Sequence, residues 1–190
     1  MIFIISGPSG SGKSTLLEKL VQNKELKERL TKTISFTTRP QRSGEQDKKD
    51  YFFITEEEFK QKLKAKKILE WTKYLGYYYA TAKDFVAAQL KKNKHIILCL
   101  DLKGAAKIKR LYLKNTRTIF ILPPSLETLQ ERIEGRCNKT KKEEIIQRLK
   151  LARRELLASR KYDYCVVNKS LVQAAKELRE IILKEVSIAR

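Results

Sequence analysis

Gly7, Pro8, Ser9, Gly10, Ser11, Gly12, Lys13 and Ser14 have the spacing of a phosphate-binding loop: a glycine, four free positions, then glycine, lysine and a hydroxyl residue. Glycines let such a loop curl until successive backbone N–H groups point at phosphate oxygens, and the helix that follows adds a favourable dipole. Lys13 supplies the cation for the β- and γ-phosphates, and the Ser14 hydroxyl is the expected ligand for Mg²⁺. The flanks fit, with an apolar stretch from Met1 to Ile5 before the loop and Leu16, Leu17, Leu20 and Val21 at helical intervals after it. A chance glycine-serine turn requires neither the Lys-Ser pair nor those flanks. Further along, Arg39 and Arg42 stand three apart ahead of Asp50 and Tyr51. Arginine offers a planar fork of donors, so this grouping suits a second, more sharply defined phosphate. A phosphate loop alone names no reaction. Asn168-Lys169-Ser170-Leu171 begins like a guanine-reading Asn-Lys-x-Asp but lacks the aspartate.

These residues need elements to position them. Short, non-alternating apolar runs at 96–100, 118–122 and 164–167 resemble the opening one and predict strands buried on both faces. Helical spacing lies between them and again at Leu171, Ala174, Ala175, Leu178, Ile181 and Ile182, with Ser170 in N-cap position. Strands alternating with helices imply an α/β domain with a parallel sheet covered on both sides. Two stretches break the rhythm. Residues 33–88 hold the only tryptophan and most of the tyrosines, and predict an insertion with its own small sheet. Residues 125–158 follow Pro123 and Pro124 and predict a charged helical cover. A single domain is expected, with core segments 1–32, 89–124 and 159–190. Trp71, Phe52, Phe53 and Phe59 are expected in the core of the small sheet.

Composition bounds the function. Forty-two Lys+Arg against 22 Asp+Glu give a formal net charge of +20, which suits a polyanionic ligand. The lysines are spread over several segments, however, and no RNA-binding signature accompanies them, so nucleic acid is not expected as a partner. No apolar run is long enough to span a membrane, and no leader is evident, so a cytoplasmic protein is expected. Cys99, Cys137 and Cys165 form no CxxC pair, which argues against a disulfide framework or zinc site. Cys99 and Cys165 are expected as buried packing residues, and the lone His95 as a strand-edge residue.

With these motifs in place, the chain resembles the guanylate kinase family over essentially its whole length. The resemblance rests on the run from Ser6 to Thr15 and on Ser35, Thr37, Thr38 and Arg39, with Arg42, Gly44 and Glu45 following. It continues through Asp50-Tyr51, Glu70-Trp71, Tyr78-Tyr79, Leu100-Asp101 with Gly104, and Pro123-Pro124-Ser125. Arg132 to Arg136, and Arg148 with Glu155, complete it. It implies a P-loop-type parallel sheet with flanking helices, a small mixed GMP-binding insertion and a helical lid. The implied reaction is ATP-dependent phosphorylation of GMP, and of dGMP, with Mg²⁺. The ATP-binding set is then Gly7 to Thr15 with Asn168, and the metal ligand is Ser14. The GMP-binding set is Ser35, Arg39, Arg42, Tyr51, Glu70, Tyr79, Thr81 and Asp101, with Glu70 reading guanine. Lys13, Arg39, Arg132, Arg136 and Arg148 would serve catalysis.

The chain departs from the family pattern at several positions. Cys99 replaces an aspartate that normally lies near the metal, Lys103 a glutamine, Cys137 the glycine after Arg136, and Lys48 a glycine before Asp50; the loop proline has moved to position 40. A non-catalytic guanylate-kinase-like interaction module is the alternative. Such modules typically lose the phosphate-loop lysine, whereas Lys13 and Ser14 are present here.

Overall fold

The computed structural model describes residues 1–135 and 142–188. The chain runs through β1 (Ile2–Ser6), α1 (Lys13–Val21), β2 (Leu30–Lys32), β3 (Ser35–Thr37), β4 (Tyr51–Phe53), α2 (Glu56–Lys64), β5 (Ile68–Tyr74), β6 (Tyr77–Ala82) and α3 (Lys83–Lys91). It continues through β7 (His95–Cys99), α4 (Leu102–Leu111), β8 (Thr116–Leu122), α5 (Leu126–Glu134), α6 (Lys142–Leu157), β9 (Tyr164–Val167) and α7 (Leu171–Ile188).

Every residue of β1 is buried, because it is the middle strand of a five-stranded sheet in the order β2-β7-β1-β8-β9, parallel at each pairing. Its side chains alternate between two apolar layers. Phe3 and Ile5 pack with Leu16, Leu17 and Leu20 of α1 and with Ala174, Leu178 and Ile182 of α7. Ile2 and Ile4 pack on the opposite face with Val86 of α3 and with Ala105 and Ile108 of α4. The runs expected as buried strands are β7, β8 and β9. Strand β2 has only three residues, too few to show a period. Cys165 is exposed, contrary to expectation: β9 is an edge strand, and only its Val166 turns fully inward.

The segment between β2 and α3 builds a second sheet, ordered β4-β3-β6-β5 and mixed in direction. Strands β5 and β6 form a hairpin whose two-residue turn, Leu75 and Gly76, has positive φ at both positions (48° and 87°), the geometry that matches strand twist. Thr55 opens α2 with a reciprocal capping box to Glu58. The helix sets Phe59 against the small sheet, stacked on Tyr78 at 4.4 Å. Trp71, expected in this core, is 41 % exposed: Phe59 takes the buried position and Trp71 meets it edge-on from the rim. Helix α5 packs on α6 through Leu129, Ile133 and Ala152.

Asp163 joins three elements of the core. Its carboxylate accepts from Lys109 Nζ at 2.7 and 2.9 Å and from the N–H and hydroxyl of Thr118 at 2.8 Å each. Burial alone would raise its pKa, but the Lys109 and Thr118 donors outweigh it and hold the carboxyl below its ordinary value. A depressed native pKa stabilises the fold above the unfolded-state value of about 4 and loses that effect as pH falls through the native value. Asp163→Asn should therefore lower stability by about 1–2 kcal/mol at neutral pH. In denaturant titrations the gap to wild type should narrow below about pH 4; a gap independent of pH would contradict this assignment.

Candidate active site

All strands of the core sheet point their C-terminal ends at one cleft, the usual ligand side of a parallel sheet. The phosphate loop leaves β1 there with Gly7, Gly10 and Gly12 at positive φ. A side chain would not fit at two of them. A Cβ on Gly7 would lie 2.4 Å from the Ile121 carbonyl oxygen, and one on Gly12 would lie 2.3 Å from Asn168 Nδ2. Asn168 closes the loop from the β9 side, donating Nδ2 to the Ser11 carbonyl at 2.8 Å. Lys13 arches back over the loop, with Nζ 2.6 Å from the Gly7 and 2.8 Å from the Pro8 carbonyl oxygens. Helix α1 starts without a side-chain cap and without an acidic residue in its first turn, where Ser14 and Thr15 are exposed. Its N-terminal dipole is therefore directed at an anion rather than offset by the protein's own carboxylates.

The small sheet forms the facing wall. Arg39, only 7 % exposed, bonds the Pro40 carbonyl at 2.6 Å and both Glu45 oxygens at 2.7 and 2.9 Å, with Tyr79 also within its reach. Its guanidinium lies over the rings of Tyr51 and Phe53, and Tyr51 and Tyr79 meet edge to face at 5.9 Å. Ser35 pairs with Tyr51 across β3 and β4, whereas the Arg42 side chain is exposed at the rim. Glu45, part of the quoted motif but given no role, organises this corner. It also accepts from the Arg42 N–H at 2.8 Å.

Glu70 lies between the walls and is 2 % exposed. A bulge in β5 between Ile68 and Glu70 shifts the register so that Glu70 sits opposite Thr81, whose hydroxyl donates to Oε1 at 2.6 Å. Oε2 rests on Gly104, where a Cβ would approach to 2.7 Å. Asp101 caps α4, taking the Gly104 N–H at 2.8 Å on Oδ1 and the Thr72 hydroxyl at 2.7 Å on Oδ2. Desolvation pushes the Glu70 pKa up to about 7; the Thr81 hydrogen bond and Lys107 pull against it, and Asp101 pushes with it.

Helix α6 supplies the cover. Arg148 bonds Ser9 Oγ at 2.9 Å and is held by Glu144 at 2.6 Å. Two turns further, Glu155 reaches the Lys13 charge, and burial raises it to about 7. Arg132 of α5 donates to the Asn168 carbonyl at 3.2 Å. Arg136 and Cys137 lie outside the described residues. Cys99, expected as buried packing, is instead exposed at the C-terminal end of β7. Surrounding protein nevertheless desolvates the thiol enough to raise it against the pull of Lys13 and Lys32. The structure thus brings together Lys13, Asn168, Arg148, Arg132, Arg39, Tyr51, Tyr79, Glu70, Thr81 and Asp101. Thr72 and Tyr74, which share the Glu70 face of β5, carry no signal in the sequence, because the pairing and bulge of β5 decide which face turns to the core.

Among the described residues no group of three or more His, Cys, Asp or Glu converges as a metal cage. One hydroxyl, Ser14, beside a phosphate loop fits magnesium, which keeps several waters and takes its other ligands from substrate phosphates.

A carboxylate raised from 4.5 to about 7 destabilises the fold as pH climbs through that interval, because the native state holds its proton longer than the unfolded chain. Glu70→Gln should therefore be more stable than wild type at about pH 8, by roughly 1–3 kcal/mol, and the advantage should vanish below about pH 5. Thermal melts at the two pH values check this; an equal difference at both would contradict it.

The chain matches the family model described as guanylate kinase over residues 1–185. It is 42% identical over 186 residues to the guanylate kinase of Caldanaerobacter subterraneus subsp. tengcongensis, covering 97% of this chain and 87% of that one. It is 41% identical over 184 residues to the guanylate kinase of Protochlamydia amoebophila, covering 97% and 90%. The crystal structure of guanylate kinase from Anaplasma phagocytophilum shares the fold with a TM-score of 0.78 at 29% identity, covering 97% of this chain and 85% of that one. On motif, cleft and fold together, the chain belongs to the guanylate kinase family.

Proposed function

We infer that this chain transfers the γ-phosphoryl group of ATP to GMP, and to dGMP, forming GDP or dGDP and ADP in cytoplasmic purine nucleotide metabolism. The observation that carries this reading is Glu70: a carboxylate 2 % exposed, aligned by Thr81, in a cleft that also holds a phosphate loop. Guanine presents N1–H and a 2-amino group side by side, which one carboxylate can accept together. Adenine offers no such pair and would leave the desolvated carboxylate unpaired, a large penalty.

The roles follow from position. Arg39, with Tyr51 and Tyr79 around it and Arg42 at the rim, would hold the GMP phosphate; Glu45 keeps the Arg39 fork oriented. Ser35, Thr81 and Asp101 would complete the nucleoside contacts. The loop from Gly7 to Thr15 would cradle the ATP phosphates, with Asn168 against adenine. Lys13 would exchange its loop carbonyls for phosphate oxygens. Ser14 would hold the magnesium that accompanies ATP, which neutralises triphosphate charge when bound. Arg132, Arg148 and Arg136 would cover the transferring group. No side chain need act as a covalent nucleophile: a GMP phosphate oxygen attacks the γ-phosphorus in line, and the protein supplies placement and positive charge. Cover by α5 and α6 keeps water from competing for the phosphoryl group.

A coupled assay of ADP formation with ATP, Mg²⁺ and a panel of monophosphates tests the assignment. GMP and dGMP should turn over, IMP weakly because it lacks the 2-amino group, and AMP, CMP and UMP hardly at all. Turnover of AMP at a rate comparable to GMP would overturn it. A second measurement isolates Glu70. Guanine donors favour the ionised carboxylate, so GMP must bind with release of the proton that Glu70 holds up to about pH 7. The KM for GMP should rise below that pH, by up to about ten-fold per unit, and the inflection should be absent in Glu70→Gln. A flat KM between about pH 6 and pH 8 in wild type would remove Glu70 as the guanine reader.

A further inference from the structure

Side chains alternate along a strand, so Glu70, Thr72 and Tyr74 project from one face of β5, toward the core. Each reaches something different. Glu70 lies under the first turn of α4. Thr72 donates its hydroxyl to Asp101 Oδ2 at 2.7 Å, while the other oxygen of that carboxylate caps α4. Tyr74 is half-buried, and its hydroxyl lies within electrostatic reach of Ser9 in the phosphate loop and of Arg148. Ser9 Oγ in turn accepts from Arg148 of α6 at 2.9 Å. One strand of the insertion therefore bonds the core at its helix cap and approaches the phosphate loop beside Ser9, which Arg148 of the cover also reaches. Neither Thr72 nor Tyr74 belongs to the sets assigned above to ATP or GMP.

We propose that Thr72 and Tyr74 are positioning residues that fasten the GMP-holding sheet to the ATP-holding loop in the geometry of phosphoryl transfer. The proposal rests on the function inferred above. In-line transfer needs the two phosphates aligned within a fraction of an ångström, and a displacement of about 1 Å can cost about a hundred-fold in rate. The two walls belong to different sheets, so their spacing has to be set by contacts between them. A hydroxyl on a carboxylate is a charge-assisted bond with a narrow preferred geometry, which apolar packing lacks.

Thr72→Val and Tyr74→Phe each remove one oxygen and keep the side chain's shape. With either change kcat should fall about ten-fold, and further in the double variant. Calorimetric binding of GMP alone and of ATP alone should stay within about two-fold of wild type, because neither residue belongs to the sets assigned to the nucleotides. Thr72→Ser should restore kcat. An unchanged kcat in both single variants would overturn the proposal, as would a loss of kcat matched by an equal loss of GMP affinity. Amide exchange of the free protein gives a readout independent of turnover. Thr72→Val should speed exchange at Gly104 and its neighbours in the first turn of α4, and Tyr74→Phe should do so in the phosphate loop. If wild type fails to phosphorylate GMP, the functional assignment falls on that result alone. Unchanged exchange in both variants would then overturn the fastening role as well.

Discussion

A carboxylate removed from water must be given hydrogen bonds or it takes up a proton, and Glu70 holds the cleft to that condition. Its surroundings are arranged to meet it only in part. Thr81 fills one oxygen and Gly104 leaves room for the other, while Asp101 adds repulsion and Lys107 a distant attraction. The bulge in β5, the absent side chain at position 104 and the cap on α4 all make sense as conditions for placing this one group. A carboxylate kept under-satisfied is costly to the free fold. The same deficit is what a ligand with adjacent N–H donors can relieve, so recognition and instability have a common origin.

The two candidate phosphate sites hold positive charge in place by different means. The phosphate loop uses backbone N–H groups and a helix end, with Lys13 parked on carbonyl oxygens. The small sheet uses Arg39, which is paired with Glu45 and flanked by aromatic rings. Arg39 is thereby ordered in the free protein, so a phosphate bound there would cost less side-chain entropy. Helix α6 faces the loop with Arg148 and Glu155, one of each sign, on the same side of the helix.

Features dictated by local backbone chemistry were legible in the sequence. The phosphate loop needs glycine where φ is positive, and Gly7 and Gly12 are bounded by Ile121 and Asn168, as their spacing implied. The buried strands were visible because burial on both faces leaves an unbroken apolar run, and the motifs carried the family. Features that depend on register or on relative depth were not legible. Thr72 and Tyr74 become meaningful only once β5 is paired and its bulge is placed. Trp71 and Phe59 look alike as aromatic residues, and the position of α2 decides which is covered. Cys99 ends an apolar strand yet is exposed, because the strand stops there.

The central position of β1 has a consequence for how the chain acquires its shape. Its partners are not neighbours in sequence: Ser6 bonds to Leu100, 94 residues away, and β8 is farther still. During synthesis β1 emerges well before either partner exists, as a segment apolar from Ile2 to Ile5 with unpaired backbone on both sides. Parallel pairing between distant segments is slow to nucleate, since a long loop must close before any contact repays it. Until β7 and β8 arrive, the apolar face of α1 is the cover that follows this strand most closely in sequence. The residues that build the phosphate loop are thus locked in place only after a long stretch of later chain has been made.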